Sequence, residues 1–223
     1  MDILEIQLLT DNLEETEHFY SNLVGLPTKQ KDATSISFMA GQFTLTFLQS
    51  TELNPTYHFA FNIPKNQIES ATAWVAERFE LILGPDNETI ANFVSWNAKA
   101  VYFYDNNGNI LEFIARFDFD NASDRPFSTS SILSVSEIGL VTDVPMAYAK
   151  QLVDKENLSY FSKSPESEAF VVLGDDNGLL IVVKNQRNWY PTQQQAQKQY
   201  TKIKLAVNGL LKEVTVNDEN TAR

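Results

Sequence analysis

The 223-residue sequence contains no cysteine. That removes disulfides, thiolate metal ligands and a thiol nucleophile together. It has only two histidines, so any imidazole-based site must use His18 or His58. Basic residues are scarce: 17 Lys and Arg stand against 29 Asp and Glu, for a formal net charge of −12. With no basic cluster interrupting that excess, neither nucleic acid nor an anionic membrane surface is an expected partner. No apolar run approaches the length of a membrane span. The N-terminus, MDILEIQLLTDN, has no basic stretch ahead of its short apolar run and is unlike a signal peptide, so a cytoplasmic protein is expected. There is no glycine-rich phosphate loop and no Ser/His/Asp set. What is present is ordinary globular material, 43% apolar and 21% charged with 15 Phe, enough for one large or two small domains.

The chain reads as a repeated unit. Leu4–Leu9 alternates as a strand, with Glu5 and Gln7 on the face opposite Ile6 and Leu8. Thr10-Asp11-Asn12 offers a helix cap, and Leu13–Leu23 carries apolar residues at helical spacing. Strands follow at Ser35–Met39 and Phe43–Gln49. The unit starts again at Thr56–Ile63, which places His58 on the face opposite Phe59, Phe61 and Ile63. A helix over Gln67–Phe79 and further strands complete it. Phe117–Ser131 is a linker by composition. After it, EIGLVTD at Glu137–Asp143 repeats EIQLLTD at Glu5–Asp11, and a helix and a hairpin follow. Arg187–Tyr200 is polar and without periodicity. Lys202–Asn208 then mirrors the start of the second unit, and Val216–Arg223 is expected to fray. A period of this size points to tandem supersecondary modules. The chain divides into 1–117, 118–131 as linker, and 132–223 as a degenerate third module with a partial fourth.

The densest signal is Val101–Arg116, VYFYDNNGNILEFIAR. It reads as two strands around an Asp/Asn/Gly turn. Glu112 is a carboxylate in an otherwise apolar strand. Solvent contact at an edge, a buried salt bridge and a metal ligand are all open readings. Tyr102 and Tyr104 share one strand face and can line a cleft as substrate contacts or proton carriers.

DNNGNILEF resembles the D-P-D-G-N-x-x-E-[LF] signature of the vicinal oxygen chelate superfamily, which includes glyoxalase I, extradiol dioxygenases and bleomycin resistance proteins. It departs from that signature at Asn106 and Asn107. The resemblance implies an α+β fold of tandem βαβββ modules, paired into a curved open sheet with helices outside and a concave cleft inside. It places the cleft in the 1–117 pair, with Glu5, His58 and Glu112 as metal ligands; Leu45 or Thr46 occupies the fourth-ligand strand and supplies no carboxylate. Glu112, Tyr102 and Tyr104 are the candidate catalytic residues, and Gln7 and Asn62 are candidates to support the ligands. One nitrogen and two oxygen ligands favour Fe(II) or Mn(II), with Zn(II) or Ni(II) allowed. The implied function is a metal-dependent enzyme acting on a small molecule that chelates through vicinal oxygens. The rival is a metal-free small-molecule binder of the bleomycin-resistance kind, and a homodimer is allowed. His18 is read as surface, and Trp74 and Trp96 as core or cleft wall. In the C-terminal half, Glu137 and Lys204 are expected to form an ion pair in a copy of the site that has lost its ligands.

Overall fold

The computed structural model describes residues 1–51 and 54–216; the tail beyond Val216, expected to fray, lies outside the described residues. The first module is β1 (Asp2–Thr10), α1 (Leu13–Glu17, widening into a looser turn over His18–Leu23), β2 (Thr28–Lys31), β3 (Ser35–Ala40) and β4 (Phe43–Gln49). The second is β5 (His58–Ile63), α2 (Ile68–Ala76), β6 (Leu81–Ile82), β7 (Ala91–Phe93), β8 (Ala98–Tyr104) and β9 (Ile110–Arg116). The third is β10 (Ser134–Thr142), α3 (Pro145–Glu156), β11 (Phe170–Asp175) and β12 (Gly178–Lys184); β13 (Thr201–Val207) and β14 (Leu210–Val216) form a truncated fourth. In each of the first three modules the opening strand pairs in parallel with the closing one: β1 with β4, β5 with β9, β10 with β12. The helices cover the outer face. There Phe19, Phe79, Phe103 and Phe113 join a large apolar core. No helix among the described residues is long and apolar enough to cross a membrane.

The modules do not pair in chain order. β5 lies antiparallel to β10, and β1 antiparallel to β13. Module two therefore pairs with module three, and module one with the truncated fourth; Ile3 opposite Val135 joins the two halves. The cleft expected between modules one and two lies instead between two and three. The linker explains this, because it is anchored along module two. Asn121 Oδ1 accepts from the Lys65 N–H, Asn66 and Ser123 bond to each other, and Gln67 donates to the Arg125 carbonyl. Phe127 packs on Trp74 and Phe113. The linker thereby delivers Ser134 opposite Asn62, at the free edge of β5.

The Asp105–Asn109 turn serves as a bolt. Asp105 Oδ1 accepts from the N–H groups of Asn107 and Asn109, and Oδ2 accepts from the Tyr20 hydroxyl at 2.6 Å and the Asn109 amide at 2.7 Å. Asn109 Oδ1 in turn accepts from the Tyr57 N–H at 2.7 Å. Gly108, at φ +76°, supplies the left-handed step that closes the turn. Asp105 is buried, so its removal strands several donors. Asp105→Ala is expected to destabilise the protein by about 2–4 kcal/mol in urea unfolding. A loss below about 0.5 kcal/mol, the range of ordinary surface changes, would show that the turn does not bolt the modules.

Candidate metal centre

Three buried side chains converge on one cavity: His58 from the start of β5, Glu112 from the middle of β9 and Glu137 from β10. One ligand-capable atom from each lies within 4.8 Å of the others. The register accounts for the convergence. Glu112 is opposite Ala60 on β9, and Glu137 is opposite the same Ala60 on β10. Two carboxylates thus flank β5 at one level, with His58 two residues away on the same face.

His58 Nδ1 lies 3.1 Å from the Ile110 carbonyl, which can only accept. Nδ1 therefore carries the proton, and the Nε2 lone pair points at Glu112 Oε2, 3.6 Å away. Burial, with a further contribution from the charge of Arg187, lowers the imidazole pKa to about 4. Burial and then the nearby Glu137 push Glu112 well above the usual carboxylate range, although a hydrogen bond from Tyr102 opposes the shift. Glu137 is raised by burial too, but Arg116 holds it down: the fully buried guanidinium donates to Glu137 Oε1 at 2.6 Å. Arg116 also bonds to Ser136 Oγ and reaches Asp176 at 3.3 Å. Tyr102 has its hydroxyl pKa raised by burial and by Glu112.

The cavity holds about 280 Å³, and Phe93, Trp96, Tyr102, Phe170, Trp189 and Tyr190 form its aromatic wall. Trp189 comes from the polar segment before β13, which folds back as a strap. Its ring lies 5.2 Å from that of His58 and rests on Gly139. A Cβ at Gly139 would stand 2.5 Å from the indole, so the strap needs glycine there.

Of the expected ligands, His58 and Glu112 come together and Glu5 does not join them. Glu5 sits in the other pair, bonded to Lys204 at 2.6 Å and to Thr46 at 3.4 Å. The cause is the module pairing, which puts β10, not β1, beside β5. Glu137 takes the place assigned to Glu5, and the expected Glu137–Lys204 pair is replaced by Glu137–Arg116 and Glu5–Lys204. The position on β12 matching Glu112 on β9 is Ile181, opposite Gly139 as Glu112 is opposite Ala60, so no fourth carboxylate enters. Tyr102 lines the cavity, whereas Tyr104 is 38% exposed and lies outside its lining. Gln7 accepts from the Tyr200 hydroxyl in the other pair. Asn62 donates to Ser134 and the Asn177 carbonyl and so ties β5 to module three, not to His58. Trp96 is cavity wall; Trp74 packs against Phe79 in the core, with Arg78 over its ring. Sequence reading missed Glu137, Arg116, Arg187 and Trp189 as site residues. The EIQLLTD/EIGLVTD repeat did equate Glu5 with Glu137, and only the pairing chose between them.

Paired βαβββ modules give the chain the fold of solved glyoxalase and dioxygenase structures, as the signature in β8–β9 implied. The chain superposes on a candidate dioxygenase from Bacillus subtilis with a TM-score of 0.61 at 15% identity, over 99% of this chain and 72% of that one. Glyoxalase I from Zea mays gives 0.55 at 13% identity, over 82% and 66%. No protein-family model and no curated protein matches the sequence.

The site makes a pH prediction. The native pKa of His58 is depressed from 6.5 to about 4, so between those values the unfolded chain binds more protons. The His58 share of stability is therefore complete above about pH 6.5 and is lost as pH falls toward 4. In metal-free protein the His58 ring resonances should not titrate between pH 8 and 5, and His58→Gln should flatten the acid limb of the stability curve. A His58 titration midpoint near 6.5 would refute the buried neutral tautomer.

Proposed function

We propose that this protein is a metal-dependent enzyme of the glyoxalase/extradiol-dioxygenase type, with a divalent cation held by His58, Glu112 and Glu137. The observation that carries the reading is the His58 tautomer. Nδ1 is committed to the Ile110 carbonyl, so a lone pair on Nε2 faces a carboxylate that is also an acceptor. Two acceptors aimed at one point, with a second carboxylate beside them, call for a cation or a proton between them. An N/O/O donor set without sulfur favours Fe(II) or Mn(II) over Zn(II) or Ni(II).

When bound, such a cation acts as a Lewis acid toward the vicinal oxygens of a small substrate. The chain's own groups do the rest. Arg116 withdraws charge from Glu137 and so offsets the weakening that two carboxylates would impose on a Lewis acid. Tyr102, hydrogen-bonded to Glu112, is placed to hold a proton beside that carboxylate. The aromatic wall excludes water and strengthens these interactions. Tyr104, outside the lining, has no part in this scheme.

A second reading is a metal-free binding protein. It is favoured by Arg116, which already neutralises one carboxylate, while burial can keep the other protonated. Metal analysis separates the two. Untagged protein, freed of metal and redialysed against Mn(II) or Fe(II) under anaerobic conditions, should bind about one equivalent. His58→Ala or Glu112→Gln should weaken binding by at least about 100-fold, and Glu5→Gln should leave it within about twofold. Wild-type protein that takes up no metal would sink the enzyme reading.

A further inference from the structure

The strap over the cavity carries a cation that the proposed chemistry does not use. Arg187 lines the cavity. Its guanidinium lies 4.9 Å from the Phe170 ring centre, and Nη1 donates to the Asn188 carbonyl of its own backbone. None of the ion pairs among the described residues involves Arg187. The two cavity carboxylates are otherwise engaged, Glu137 with Arg116 and Glu112 beside His58 and Tyr102. Burial depresses the Arg187 pKa.

A half-buried guanidinium facing an aromatic cavity is a specificity device. The wall is largely aromatic. The volume of about 280 Å³ lies at the lower end for ligand sites and suits a single ring. A cationic ligand would meet Arg187 as a like charge. We propose that the cavity binds a monocyclic aromatic carboxylate, its ring against the aromatic wall and its carboxylate paired with Arg187. Arginine suits that role because its planar fork matches a carboxylate in two parallel hydrogen bonds. The proposal rests on reading the cavity as a ligand site, but not on a metal being bound there.

The test uses full-length, chelator-stripped protein, so that a carboxylate–metal contact cannot account for binding. Calorimetry compares benzoate with neutral benzamide. Benzoate should bind at least about tenfold more tightly than benzamide. Arg187→Met should remove that preference while benzamide still binds, and Arg187→Lys should retain part of it. Absence of a benzoate preference in the wild type, or its survival in Arg187→Met, overturns the proposal. Metal uptake measured on the same samples keeps the two readings apart. Arg187-dependent benzoate binding in protein that takes up no metal sinks the enzyme and supports this inference. Benzoate binding that needs metal and ignores Arg187 does the reverse.

Discussion

Two buried carboxyl groups and a neutral imidazole share one cavity only with a cation or a proton among them, and that constraint governs the pairing of modules two and three. Arg116 supplies the permanent part of it. The guanidinium is fully buried at the end of β9 and reaches across to Ser136 and Glu137 on β10 and to Asp176 in the β11–β12 turn. Lys163 extends the network by bridging Asp176 and Asp118. A charge in this position is costly to desolvate and more costly to leave unpaired. The network therefore holds only when both modules are docked, and the docking that satisfies Arg116 also brings Glu137 to the level of Glu112.

The other pair shows the same framework with different chemistry. By register, Glu5 occupies the place of His58, Thr46 that of Glu112 and Lys202 that of Glu137. Glu5 bonds to Lys204, Lys202 to Glu213, and Tyr200 to Gln7. Ammonium groups fill the space that a cation would occupy, and protonated lysines cannot act as ligands. Of the two pseudo-equivalent clefts, the one between modules two and three is where an imidazole and two buried carboxyl groups converge.

Much of the fold was legible because strand alternation and helical spacing are local properties. β1, β5, β9 and β10, and the apolar faces of α1 and α2, follow from them directly. His58 and Glu112 were legible for the same reason, as polar residues interrupting apolar strands. Which strand would lie beside β5 was not legible. That depends on a linker whose hydrogen bonds to Lys65, Asn66 and Gln67 join residues more than fifty positions apart. The strap was hidden in the same way: Arg187–Tyr200 has no period because it packs onto the cavity through Trp189 and Arg187 rather than as a regular element. One trace of it was in the repeat. EIQLLTD and EIGLVTD differ at Gln7/Gly139 and Leu9/Val141, and Gly139 is where the indole rests.

The signature turn is better understood as a register device than as part of the site. Asn109 accepts from the Tyr57 N–H, and the Ile110 N–H donates to the Tyr57 carbonyl. Those two bonds fix where β9 begins against β5. His58 then falls opposite Ile110, whose carbonyl holds Nδ1, and Glu112 falls opposite Ala60. A slip of one residue would turn Glu112 toward the core beneath α2, bring Phe113 into the cavity and leave the imidazole without its backbone acceptor. Asp105 prevents that slip by holding both ends of the turn and anchoring it to Tyr20 of module one. The motif thus makes the chemistry available from a distance: none of its Asp or Asn residues lines the cavity, yet the tautomer of His58 and the direction of Glu112 both follow from the register they impose.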